Sequence, residues 1–166
     1  MIVSASAFSD YWQRVHGRTR DMVAAIPADR LDWRPAAGEL SCAEIARHIA
    51  STRRMNIVSA TLGAGLYPGH DERFGATLDD LLHYLDATNA EISNRLAGMR
   101  DEELAEPRMS NQGGPYPAWN ILLAMIEHEV HHRSQLATYL SLMGVQPPAL
   151  YGVHVEDLRL AGSAYA

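Results

Sequence analysis

The chain has 166 residues, with 20 aspartates and glutamates against 14 basic residues, eight histidines and one cysteine, for a net charge of −6. Every basic residue is arginine, which excludes Schiff-base chemistry, an internal aldimine to pyridoxal phosphate and a P-loop lysine on a phosphate. The lone thiol, Cys42, excludes an internal disulfide and any multi-thiolate zinc or iron–sulfur site, so a bound metal has to be held by histidine and carboxylate.

The remaining bulk numbers describe an ordinary folded chain. Apolar content of 47% and charged content of 20% suit a single domain over residues 1–166, with about 150–166 as a tail. A domain of this size buries roughly 70% of its unfolded surface. The acidic balance, with no arginine cluster beyond Arg53–Arg54, argues against a nucleic-acid partner. No apolar run approaches the ~20 residues that span a bilayer. The segment MIVSASAFSDYW lacks the basic-then-apolar order of a signal peptide, so the expected location is the cytoplasm.

Four helices follow in chain order. In the first, Phe8, Trp12, Val15, Thr19, Met22 and Ile26 recur at alternating steps of four and three until Pro27. The second opens on Ser41-Cys42-Ala43-Glu44, a capping box, and carries Ile45, His48, Ile49, Thr52 and Met55 on its apolar face towards Gly63 and Gly65. The third starts at Thr77 with Asp79 and Asp80 in its first turn, and turns Leu78, Leu81, Leu85, Thr88, Ile92, Leu96 and Met99 inward. The fourth opens after Gly113-Gly114-Pro115-Tyr116-Pro117 and runs to about Met143, before Gly144 and Pro147-Pro148. Residues 27–40 and 64–76 are rich in proline and glycine and show no strand alternation. The expected fold is all-α, a four-helix bundle with two longer connections.

The seam of the fourth helix reads Ile121, Met125, His128, His132, Gln135, Tyr139 and Leu142. It predicts two imidazoles and an amide directed at the bundle axis, where each unpaired polar group costs on the order of 1–3 kcal/mol. Histidines at i and i+4 lie one turn apart and can reach one metal ion. His48 puts a third imidazole on the apolar face of the second helix. Core histidines bonded to backbone or carboxylate are the competing explanation. His16, His70, His83 and His131 read as ordinary loop, surface or off-seam residues, and His154 as a weaker ligand candidate in the tail.

Residues 128–132, His-Glu-Val-His-His, also satisfy H-E-x-x-H, the zinc-protease pattern in which Glu129 would be the general base. That reading needs a third ligand from His154, Glu156 or Asp157 and a sheet edge to hold a peptide. A di-iron bundle would need a second E-x-x-H, and Glu44 and Glu91 are followed at the third position by Arg47 and Asn94 instead. The candidate catalytic residues are Glu129, Gln135 and Tyr139, the last two as substrate contacts or supports for a ligand. Trp33, Arg34 and Pro35 either pin the first connection over one bundle end or line a pocket mouth. Arg133 reads as an ion-pair partner of a neighbouring acid, and Cys42 as a packing residue rather than a nucleophile.

Three segments together resemble one family. HEVHHRSQLATYLSLMGVQPP is similar to an H-x3-H-R-G-Q-L…G-x-x-P pattern, LDWRPAAGELSCAEIARHIA to a W-R-P, helix-cap and histidine segment, and TLDDLLHYLDATNAEI to a third helix, all of the DinB-like family that includes YfiT-type proteins. The resemblance covers most of residues 8–150. It implies a four-helix bundle, often a homodimer, with a divalent metal held by His48, His128 and His132. Ser134 stands where the family commonly has glycine, and some relatives have glutamate at the position of His128. The resemblance further implies a metal-dependent enzyme acting on a small molecule, since some relatives are transferases or isomerases using low-molecular-weight thiols. A thiol-dependent S-transferase is the favoured expectation. A metal-dependent hydrolase, the H-E-x-x-H peptidase included, and a non-catalytic metal-binding stress-response protein are the alternatives. Zinc, nickel, iron and manganese all suit three imidazoles and an open position.

Overall fold

Each long helix starts where the sequence supplies a cap. In the computed structural model, which describes residues 1–110 and 113–152, helix α1 spans Ala5–Ala24 behind Ser4, whose hydroxyl accepts from the Ala7 amide. Helix α2, Cys42–Leu62, opens on the expected capping box. The Ser41 amide donates to the Glu44 carboxylate at 2.7 Å, and the Glu44 amide donates back to Ser41 Oγ at 3.2 Å. It closes on Gly63, whose φ of 71° is left-handed. Helix α3, Leu78–Ala97, carries a second such box between Thr77 and Asp80. Helix α4, Ala118–Leu142, follows Pro117 and ends before Gly144, at φ 76°. Caps of this kind contribute about 1 kcal/mol each and mark where the helices begin.

The helices form a ring in the order α1, α3, α2, α4, so that α2 lies between α3 and α4. No described helix is long and apolar enough to cross a membrane. Both expected longer connections are present, each holding one 3-10 turn, Ala28–Arg30 and Glu72–Phe74. The stretch between α3 and α4 differs from the sequence reading. After a third 3-10 turn, Asp101–Ala105, it forms a two-stranded antiparallel hairpin of β1 (Pro107–Ser110) and β2 (Gly114–Pro117) packed beside α2. Its register pairs Pro107 with Pro117 and Met109 with Pro115. Three prolines and the lack of any β-branched residue over 107–117 hide such a hairpin, because proline cannot donate to a ladder and fits only edge strands.

The core has two apolar clusters, one at each end of the bundle. The first gathers Phe8, Trp12, Val15, Ile57, Ile92, Leu122 and Ile126. The second gathers Met22, Ile26, Ile45, Ile49, Leu85, Leu136 and Leu140. Between them along the chain, on all four helices, come the buried polar residues Thr19, Arg53, Thr88, Glu129 and Arg133. Arg53 donates from Nε to Glu129 Oε2 at 2.7 Å and also pairs with Oε1 through Nη2. Thr19 donates to Glu129 Oε1 at 2.6 Å. Arg133 donates to Thr19 Oγ1 at 3.3 Å and to the Val15 carbonyl. The Arg53 guanidinium also lies 5.0 Å from the centre of the Trp12 ring. A buried charge pair of this geometry is tolerated because every donor and acceptor finds a partner.

Candidate metal centre

The α2–α4 edge brings three imidazoles to one point. His48 Nε2 and His128 Nε2 are 2.9 Å apart, and one nitrogen from each of His48, His128 and His132 lies within 4.8 Å of the others. The rings pack edge to face, with centroids 4.7 Å apart for His48–His132 and 4.4 Å for His128–His132. Among the described residues this is the one group of three metal-type donors. Two imidazoles bound at ~2.1 Å and separated by 90–109° would hold their nitrogens about 3.0–3.4 Å apart, so the closest pair nearly matches the edge of a coordination shell. The donor set fits a divalent ion.

The outer nitrogens are held as well. His132 Nδ1 lies 2.9 Å from Gln135 Oε1, an atom that only accepts, so Nδ1 carries the proton and Nε2 keeps its lone pair for the cluster. Gln135 in turn donates from Nε2 to Tyr139 Oη at 3.1 Å, and the Tyr139 ring meets Trp33 edge-on at 5.3 Å. Gln135 and Tyr139 therefore form a hydrogen-bonded chain that orients the His132 ring. Gln135→Ala is expected to weaken metal binding by about 10–100-fold in a chelator competition, the range for losing such an outer partner, with little change in helix content.

His48 is steadied from the α2–α3 connection. Tyr67 Oη lies 2.6 Å from His48 Nδ1 and 2.6 Å from His70 Nδ1, bridging the two rings. Sequence reasoning passed over Tyr67 and set His70 aside as a loop residue. The available signal was the segment Gly65-Leu66-Tyr67-Pro68-Gly69-His70, since loops fixed by glycine and proline beside a scaffold often carry function. Two features press this loop onto α2. A side chain at Gly65 would lie 2.0 Å from the Met55 carbonyl oxygen, so only glycine fits. Buried Arg47 donates to the His70 carbonyl at 2.8 Å and to the Gly75 carbonyl at 2.7 Å.

Burial and mutual repulsion keep the imidazoles neutral. His48 falls to about 4, chiefly by desolvation and then by His132 and His70. His128 falls to about 3, by desolvation and then by His132, His48 and His131. His132 is also lowered by burial. A histidine depressed in the folded state leaves the unfolded chain holding more protons at acid pH, so stability is present above about 6.5 and lost as the pH falls towards the folded values. The metal-free protein is therefore expected to lose Tm steadily between pH 6.5 and pH 4. His128→Ala should flatten that slope in thermal melts.

Other expectations resolve differently. The fourth-helix seam does not face the axis along its length. Ile121, Met125 and Tyr139 of that seam are buried in the core, beside Leu122, Ile126, Glu129, Arg133, Leu136 and Leu140, while His128 and His132 sit half-buried on the edge towards α2 and Leu142 is 63% exposed. Each step along a helix turns about 100°, so Glu129 points away from the imidazoles beside it and into the ion pair with Arg53. Arg133, expected to pair with a neighbouring acid, instead donates to Thr19 and Val15 within the described structure. His16, read as ordinary, is buried against Arg53 Nη1 at 3.2 Å and Asp86 at 3.2 Å. His83, His131 and Ser134 are exposed. Arg34 pairs with Glu44 at 3.2 Å and donates to the Glu39 carbonyl, which pins the first connection. Cys42 is fully buried and its thiol is pushed up to about 11 by desolvation, consistent with packing and not with nucleophilic attack. His154, Glu156 and Asp157 lie outside the described residues.

Fold and site together define a helical bundle carrying a three-histidine cluster on its α2–α4 edge. The DinB family model matches residues 1–162, and the chain belongs to that family. No curated protein sequence matches it. Among solved structures it is similar to a DinB-like protein from Bacillus cereus ATCC 10987, with a TM-score of 0.75 and 22% identity over 93% of this chain and 100% of that one. A DinB-like protein from Bacillus subtilis gives a TM-score of 0.70 at 20% identity, covering 86% of this chain and 95% of the other. A DinB family member from Exiguobacterium sibiricum 255-15 gives 0.65 at 24% identity, covering 94% and 98%. These likenesses establish the fold.

Proposed function

We propose that His48, His128 and His132 hold one divalent ion and that the chain is a metal-dependent enzyme acting on a small molecule, with transfer of a low-molecular-weight thiol the favoured reaction. The observation that carries this is the convergence of three neutral imidazoles at a half-exposed edge, with His48 Nε2 and His128 Nε2 at 2.9 Å. Three neutral ligands leave a coordination position open and leave the ion its full positive charge. When bound, such an ion supplies Lewis acidity that favours the anionic form of a thiol or of water.

The chain's own groups prepare that position. Gln135 fixes the His132 tautomer, and Tyr67 fixes His48 from the other side. Tyr67 keeps its proton at neutral pH, because burial pushes it up to about 12, so it acts by hydrogen bonding. In the transfer the thiol proton passes to solvent, the sulfur bonds to an electrophilic carbon of the second substrate, and the bond from that carbon to the leaving group breaks, the leaving group departing with its electron pair. The thiol assignment is supported by the resemblance to thiol-using members of the family. A homodimer in the cytoplasm belongs to the same proposal.

The test is a screen of the metal-loaded protein for conjugation of small thiols to electrophiles, run beside ester and amide substrates. Turnover with thiols that disappears in His128→Ala supports the transferase. Turnover of esters alone moves the assignment to a hydrolase. Silence across both panels with metal bound overturns the enzyme reading in favour of a metal-binding protein.

A further inference from the structure

Beside the histidines, between α2, α4 and the hairpin, lies a pocket of about 90 Å³. Thr52 and Asn56 line it from α2, at four and eight residues beyond His48, and Asn120, Ala124 and His128 climb its other wall along α4 in steps of four. The hairpin closes it with Tyr116. The small side chain of Ala124 leaves room for a groove leading from His128 towards the hairpin.

Ser110 of the hairpin also lines the pocket and is engaged within the protein, whereas three polar side chains of the helix walls are not. Thr52 is 4% exposed, yet its Oγ1 has no hydrogen bond. Helical threonines commonly satisfy themselves on the carbonyl four residues back, as Thr19 does with Val15 at 3.2 Å and Thr61 with Ile57 at 2.8 Å. Thr52 does not. Among the described residues no hydrogen bond engages the side-chain amides of Asn56 and Asn120, which line the same pocket without being sealed from solvent as Thr52 Oγ1 is. A buried polar atom without a partner costs free energy that a bound group can recover. Neither arginine nor carboxylate lines the pocket, so nothing beyond the metal centre itself selects for charge. The volume equals about three waters, room for a group of three or four heavy atoms.

We propose that this pocket receives an uncharged substrate group bearing both donors and acceptors, and that Thr52, Asn56 and Asn120 position it while the reacting atom sits at the histidine cluster. The ligand chemistry is that shared by a carboxamide and by the hydroxyls of a small polyol. The inference rests on the reading of His48, His128 and His132 as metal ligands.

The test loads the full chain with cobalt(II), confirms cobalt content, and titrates four thiols while following the sulfur-to-cobalt absorption band. They are 1-thioglycerol, 2-mercaptoacetamide, mercaptoacetate and 1-propanethiol. The two uncharged polar thiols are expected to bind about fivefold or more tighter than propanethiol, the yield of one or two net hydrogen bonds. Whichever of the two binds tighter distinguishes a polyol from a carboxamide. Thr52→Val should remove most of that preference, leave cobalt content unchanged, and raise the Tm of the ligand-free protein, because a methyl replaces an unsatisfied hydroxyl of the same shape. Equal binding of all four thiols to the cobalt protein overturns the pocket and leaves the metal reading standing. So does tightest binding of mercaptoacetate, or a Thr52→Val protein that melts lower and keeps its preference. Absence of a cobalt–sulfur band with every thiol overturns the open metal position and the pocket with it.

Discussion

Glu129→Gln is expected to destabilise the protein by about 3–5 kcal/mol while its metal content stays at the wild-type value. The reason lies in the polar layer between the two apolar clusters. Both oxygens of Glu129 are engaged, by Arg53 through two guanidinium nitrogens and by Thr19, and both Arg53 and Glu129 are 1% exposed. Neutralising the acid leaves the Arg53 charge buried without its counter-ion, with the glutamine amide oxygen, His16, the Leu85 carbonyl and the Trp12 ring as its neutral surroundings. A loss of that size is a large part of the 5–15 kcal/mol that separates folded from unfolded domains. Urea unfolding at low temperature reads it directly. The peptidase reading of H-E-x-x-H requires the opposite result, a Glu129→Gln protein of unchanged stability and abolished turnover. If the single variant is too unstable to purify, Arg53→Met with Glu129→Met provides the second measurement. Removing both charges together should recover much of the loss, since a buried pair exchanged for apolar groups of similar volume is often neutral.

That layer also shows what the sequence reveals and what it conceals. Helix positions, caps and the all-α fold are legible, because Ser41 with Glu44 and Thr77 with Asp80 are short-range patterns whose physics is complete within one turn. His48, His128 and His132 are legible as candidates because i and i+4 spacing survives any arrangement of the bundle. The rotation of α4 is not. Two adjacent stripes of that helix both enter the core, Ile121, Met125 and Tyr139 on one and Leu122, Ile126, Leu136 and Leu140 on the other, and the burial of Glu129 between them rests on Arg53, 76 positions away. Arg53 reads as a surface charge until its partner on another helix is known. Thr19 and Thr88, polar residues on otherwise apolar seams, mark the same level of the bundle and are the trace of the layer in the sequence. Tyr67 and His70 escape for a related reason. Their approach to His48 depends on Gly65 packing against the Met55 carbonyl and on Arg47 holding two loop carbonyls, neither of which has a periodic signature.

For the metal centre, elemental analysis of the purified chain is expected to find about one divalent ion per chain, and His128→Ala and His48→Ala to lose it. Residues that only adjoin the cluster should keep it. His131 is exposed and contacts His132 by ring packing alone, so His131→Ala tests whether proximity is enough. A ligand that binds the folded state stabilises it by about 2.7 kcal/mol at one hundred times its Kd. For a chain of this length that corresponds to a rise in Tm of roughly 5–10 °C. Zinc or cobalt added to stripped wild type should produce that rise, and added to His128→Ala should produce none. The pair of measurements separates a metal site from a merely packed trio of histidines, because removal of one packed imidazole alters Tm equally with and without metal. The tail acids offer the opposing outcome. Glu156→Ala is expected to bind metal as the wild type does. Loss of the ion in that variant, with retention in His48→Ala, would place the ligands along α4 and the tail and overturn the two-helix site.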